Sequence, residues 1–109
     1  MIEKIVFDYL KAHMDVPVAL MAKECDRYVL IERAGSSGQD RIEKATIIIQ
    51  SYGKSLYEAA ALNEKVKLQM EDIDKLSEIG SCKLQTDYNF TDKTTKKYRY
   101  QALYEISKL

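Results

Sequence analysis

The sequence predicts an α+β domain: a mixed or mainly antiparallel sheet of about five strands, with two helices packed on one face. The predicted order is helix, three strands, helix, two strands. Three observations carry this. Ala45–Ile73 reads as a β-branched strand, a tight turn and the longest helix of the chain. Two segments near the C-terminus alternate apolar and polar residues with period two. The opening residues instead repeat their apolar positions at threes and fours.

In chain order, Ile2, Ile5, Val6, Tyr9 and Leu10 form the stripe of a first helix, with Phe7 off that stripe and free for a partner. Pro17 biases Val16 toward extended backbone, so the helix ends by about Asp15. Val16–Met21 is a short first strand whose proline suits a strand start or edge, and Ala22–Asp26 is a connector. Arg27–Arg33 is a second, central strand. Gly35, Ser36, Ser37, Gly38, Gln39, Asp40 and Arg41 read as a mobile hairpin loop, either a passive surface loop or a projecting element that orders on assembly. The third strand starts near Ile42 and contains Ile47, Ile48 and Ile49.

Ser55 with Glu58 three residues on is a capping box for the long helix. Its stripe is Leu56, Ala59, Leu62, Val66, Met70 and Ile73, opposite Glu58, Glu64, Lys65, Lys67 and Glu71. Cys82, Leu84, Thr86, Tyr88 and Phe90 then form one face of a strand, and Tyr98, Tyr100, Ala102, Tyr104 and Ile106 one face of the next. The polar link Asp92–Thr95 makes the two an antiparallel hairpin.

Length and composition fit one domain spanning all 109 residues, with 46% hydrophobic and 31% charged residues. Basic and acidic residues number 17 each, so no global charge draws the chain to nucleic acid or an anionic membrane. No apolar run approaches the roughly 20 residues of a membrane span, and the acidic opening is unlike a signal peptide. Cys25 and Cys82 stand far apart and read as reduced thiols of a cytoplasmic protein.

No stretch carries a convincing active site. Gly53-Lys54-Ser55 ends like a Walker A motif, but Ile48 stands where its first glycine belongs, and a helix N-terminus explains the same residues. His13, the single histidine, suits the C-terminal end of the first helix. Glu71, Asp72 and Asp74 lack the glycine-shaped loop of a cation site. Ser36 and Ser37 have no base near them in sequence, and the sequon Asn89-Phe90-Thr91 lies in a chain without a secretory signal. Lys93, Lys96, Lys97 and Arg99 around Tyr98 and Tyr100 form the one basic-aromatic patch. Alternation places those rings in the core and the cations on a solvated face, suited to an interface. The residues alone therefore imply a binding or structural module, not an enzyme, with no cofactor and no metal.

A resemblance goes further. Ser51–Val66 (SYGKSLYEAAALNEKV) and Asp87–Ile106 (DYNFTDKTTKKYRYQALYEI) resemble segments of small prophage proteins from the head–tail joining and tail region of long-tailed bacteriophages. IEKIVFDYL and VLIERAGSSG are similar too, so the likeness covers most of the chain in the same order. The wider group is the tail-terminator, or tail-completion, family. The departure is Val18–Asp26, acidic and proline-bearing in similar proteins.

The resemblance implies a sheet flanked by helices, no active-site residues, and a hexameric ring that caps the finished tail tube and offers a surface to the filled head. Implied partners are further copies of the chain, monomeric before assembly or not, the tail tube protein and head–tail connector proteins. The implied location is the virion neck, after assembly in host cytoplasm. As assembly contacts, Gly35–Arg41 is expected to project toward the lumen or a neighbouring ring, and exposed strand edges with the Lys93–Arg99 region to meet adjacent subunits. A head–tail adaptor or minor capsid protein is the alternative, and a nucleic-acid-binding module using the basic hairpin a further one.

Overall fold

The computed structural model describes residues 1–39 and 42–109, side chains of 37–39 excepted. Its elements are α1 (Ile2–His13), β1 (Val18–Ala19), β2 (Tyr28–Gln39), β3 (Ile42–Gly53), α2 (Leu56–Met70), a 3-10 turn (Ile73–Lys75), β4 (Ile79–Asn89) and β5 (Tyr98–Lys108). The five strands form one sheet in the order β1-β2-β3-β5-β4; β1 is parallel to β2 and every other pair is antiparallel. The fold class is the α+β arrangement expected. The long axis measures 43 Å, set by strands of 11 and 12 residues.

Both helices cover one face. Ile2, Val6 and Leu10 of α1 and Leu62, Val66 and Met70 of α2 bury against Val29, Ile31, Ile47, Ile49, Ala102, Tyr104 and Ile106. Burying such side chains contributes roughly 1.5–3 kcal/mol each, the main drive toward this layering. Tyr9 Oη donates to Gln69 O at 3.0 Å and ties the helices together. α1 ends at His13, ahead of Pro17, whose carbonyl accepts from Val29 N–H at 2.9 Å. Ser55 caps α2 by accepting from Glu58 N–H at 3.1 Å, while Glu58 Oε1 accepts from Lys54 N–H at 3.1 Å.

Three expectations about the elements are corrected. Gly35–Gln39 is not a loop: these residues continue β2, with partners from Gly35↔Thr46 to Gln39↔Ile42, while Asp40 and Arg41 lie outside the described residues. Glycine and serine adopt extended backbone readily once a partner strand supplies the ladder. Phe7 is half-buried at the core margin, with the Lys4 and Lys11 ammonium groups over its ring. Leu56 drops out of the helix stripe and is 41% exposed, because α2 begins beyond the sheet's cover.

The third correction concerns β4. Its register against β5 shifts between Leu84 and Thr86, a bulge at Gln85. One extra residue reverses the facing of everything beyond it. Cys82 and Leu84 stay on the helix side, opposite Ile106 and Tyr104, but Thr86 and Tyr88 turn away, opposite Leu103 and Gln101. Asp87 turns inward instead and meets α2.

Candidate assembly surfaces

The expected contact residues sit at opposite ends of the sheet. Gly35–Gln39 lies beside the start of β3, whose Glu43 pairs with Lys108 of β5. The turn carrying Lys93, Lys96 and Lys97 lies at the other end, where Gly53 pairs with Tyr98. The fold does not bring the two groups together.

Asp92 builds that turn. Its Oδ1 accepts from Thr94 N–H at 3.0 Å and Thr95 N–H at 3.4 Å, and its backbone bridges to Lys97. Hydrogen bonding, first from the Thr95 side chain, holds the Asp92 carboxyl below its ordinary value. Lys96 adopts φ 56°, a left-handed conformation uncommon for a side chain of its kind. Lys93, Lys96 and Lys97 are exposed. Arg99 is not a solvated cation as expected: Nε donates to Phe90 O at 2.7 Å and Nη1 to Tyr52 Oη at 3.1 Å. Its guanidinium lies 4.7 Å from the Phe90 ring centroid and 5.8 Å from that of Tyr52.

Arg99 belongs to a polar-aromatic layer on the helix-free face that sequence reasoning missed. Tyr52 Oη donates to Gln50 Oε1 (3.1 Å), Gln50 Nε2 to Gln101 Oε1 (2.7 Å), and Gln101 Nε2 to Tyr88 Oη (2.7 Å). The chain crosses β3, β5 and β4 and lets two glutamines bury fully satisfied. Tyr28 stacks on Tyr52 at 4.5 Å and 2°, over buried Leu30 and Ala19. Burial raises the Tyr28 phenol above its ordinary value. The signal for this layer was available: Tyr28, Gln50, Tyr52 and Gln101 stand at alternate positions that the apolar count skipped.

A second cluster fastens β4 to α2. Asp87 Oδ2 accepts from Asn63 Nδ2 at 2.8 Å and Lys67 Nζ at 3.0 Å, and Lys67 also meets Glu64 at 2.9 Å. The Lys67 bond, then that from Asn63, holds the Asp87 carboxyl below its usual range despite partial burial. Glu64, then Asp87, raises the Lys67 ammonium.

The sheet has two open sides. Among the described residues β1 pairs only with Val29 and Leu30, so the outer edge of β2 beyond Ile31 has no partner strand, and no strand lies beyond β4. Glu3 and Glu43 hold Arg33 on the helix side of the first edge, at 3.0 and 3.9 Å.

The Walker-like residues do structural work. Gly53 ends β3 and only Lys54 and Ser55 precede α2, which leaves no room for a phosphate-cradling loop. A Cβ on Gly53 would lie 2.6 Å from Ala59 N, so glycine is required by close packing under the helix. Beside it opens a cleft of about 330 Å³ lined by Lys54, Lys96 and Lys97 together with Glu24 and Asp26. His13 Nδ1 hydrogen-bonds Tyr9 O at 2.7 Å within the last turn of α1. Among the described residues no group of three or more potential ligands could hold a metal ion, and no helix is long and apolar enough to cross a membrane. No family model matches the sequence, and no curated protein matches it.

Proposed function

We propose that this protein is a virion-assembly component of a long-tailed bacteriophage, a tail-terminator subunit that forms a ring at the head-proximal end of the tail. Two lines support the reading. One is the resemblance carried by Ser51–Val66 and Asp87–Ile106. The other, which carries most weight, is the pair of open sheet edges on opposite sides of one subunit. A head-to-tail ring needs two different surfaces per subunit, and a closed ring leaves no edge exposed. The ends of the sheet, with Gly35–Gln39 at one and Lys93–Lys97 at the other, are then available to the tail tube and the connector.

The test is to disable the gene in its parent prophage, induce, and image the lysate by negative-stain electron microscopy. Filled heads beside unattached, overlong or uneven tails are the expected result. Uniform free tails with emptied heads would transfer the role to a head-side adaptor. Normal infectious particles would overturn the assembly reading.

A further inference from the structure

We propose that two copies of this protein pair about a twofold axis through the outward faces of their α2 helices. The helices run antiparallel, and Tyr57 of each copy seats in the cleft beside Leu68 of the other. The contact uses neither sheet edge, so it stands apart from the ring reading and leaves both edges free for it.

α2 is apolar on two sides. Ala59, Leu62, Val66 and Met70 bury against the sheet. At about 100° per residue, Tyr57, Ala61, Glu64 and Leu68 fall within about 60° of one another on the opposite side. Tyr57 is 83% exposed and Leu68 63%. α1 gives the contrast, for its outward positions carry Lys4, Asp8 and Lys11, the first two paired at 2.9 Å. A surface helix needs one apolar stripe for its own core, and a second stripe calls for a second layer.

That layer is a second copy because the stripe complements itself when run in reverse. Tyr57 and Leu68 stand at its two ends, about 16 Å apart along the axis, with Ala61 and Glu64 between. Antiparallel pairing sets Tyr57 against Leu68 at both ends and Ala61 against Glu64 in the middle. The alanine methyl lets the axes approach to about 8–10 Å. A cleft of about 240 Å³ opens beside Leu68, lined by His13, Met14, Asp15, Lys65, Leu68 and Gln69. A tyrosine entering it rests its ring on Met14 and Leu68 and brings its hydroxyl among His13, Asp15 and Lys65, the mixed surroundings a buried tyrosine requires. The parallel alternative stacks Tyr57 on Tyr57, leaves both clefts empty and sets the helix dipoles side by side in the same direction.

Charge agrees at the rim and sets the strength. In this register Lys65 of one helix comes within a turn of Glu58 of the other, on the same flank of the seam, and the twofold axis repeats the pair. Nearest the axis lie Ala61 and Glu64. The two Glu64 carboxylates repel across it, each drawn back by its own Lys67 at 2.9 Å. A helix face of 15 residues buries less than the roughly 1,600 Å² of a standard interface. The dimer is therefore weak and dissociates on dilution, which keeps single copies available for assembly.

Sedimentation velocity tests this, with the parent protein expected to pass from monomer toward dimer between about 10 μM and 1 mM. Tyr57→Ala and Leu68→Ala should each weaken the dimer at least about tenfold. Both side chains are exposed, so circular dichroism should find the fold of either variant unchanged. Met21→Ala removes a side chain 81% exposed but away from α2, and should leave the dimer as it was. Glu64→Leu takes the like charges off the axis and should tighten it. The His13 ring resonances should shift with concentration in the parent and stay fixed in Tyr57→Ala. A parent that is still monomeric at about 1 mM would overturn the proposal. So would a dimer indifferent to Tyr57→Ala and Leu68→Ala, one weakened as much by Met21→Ala, failure of Glu64→Leu to tighten it, or His13 signals that ignore concentration.

Discussion

The hydrogen-bonded chain on the helix-free face makes a sharp energetic prediction. Gln50 and Gln101 are 7% and 6% exposed, so water cannot replace a lost partner. Gln101→Met keeps the shape but strands Gln50 Nε2, whose acceptor is Gln101 Oε1, and frees Tyr88 Oη. Tyr88 is 40% exposed and turns to solvent at little cost. The orphaned buried amide costs about 1–3 kcal/mol. A loss of about 2 kcal/mol lowers Tm by roughly 10 °C in a domain of this size. Gln50→Met should cost as much or more, since Tyr52 Oη loses its acceptor too. The double variant removes both partners at once and should be no worse than either single, which leaves a coupling of about 1–2 kcal/mol. Thermal and urea melts of the four proteins by circular dichroism measure it. Additive losses, or a Gln101→Met effect below about 0.5 kcal/mol, would refute the buried-chain account.

Gly53→Ala should cost about 1–3 kcal/mol in the same melts, because its Cβ meets α2 backbone at 2.6 and 2.9 Å, whereas exposed Lys54→Ala should stay within about 0.5 kcal/mol. Asp87 has a lowered folded-state value, so its contribution is present at neutral pH and lost as pH falls through that value. Asp87→Asn should be destabilised at pH 7, with the gap to the parent closing below about pH 4 in melts taken against pH. Burial pushes the Cys82 thiol up to about 11, while Cys25 is exposed. A thiol reagent at pH 8 should label one cysteine per chain quickly and the second only under denaturant, as mass spectrometry of the labelled peptides would record.

The core side of this fold was legible in the sequence. Threes and fours marked the buried positions of α1 and α2, and the Ser55–Glu58 spacing placed the start of α2 correctly. Period two located β4 and β5 but failed across Gln85, since a bulge costs one residue and leaves no compositional trace. The same blindness hid the role of Asp87, placed on the solvent side by unbroken alternation. The glycine–serine run misled for a different reason: local flexibility predicts a loop only where no partner strand competes, and Ile42–Thr46 competes. Pro17 marked β1 as an edge, but that β4 ends the other side was not legible, because which strands end a sheet is a property of long-range pairing.

The strand order also has a kinetic consequence. β2 with β3 and β4 with β5 are local hairpins, whereas the β3–β5 ladder joins residues as distant as Glu43 and Lys108. Closing that ladder requires the whole α2 segment to be spanned, and non-local pairing is what slows two-state folding. The seam between β3 and β5 is then expected to form last. Before it closes, the chain consists of two hairpins tethered by a helix, each with its inner edge bare as well as its outer one, and a subunit caught at that stage offers four edges to its neighbours instead of two.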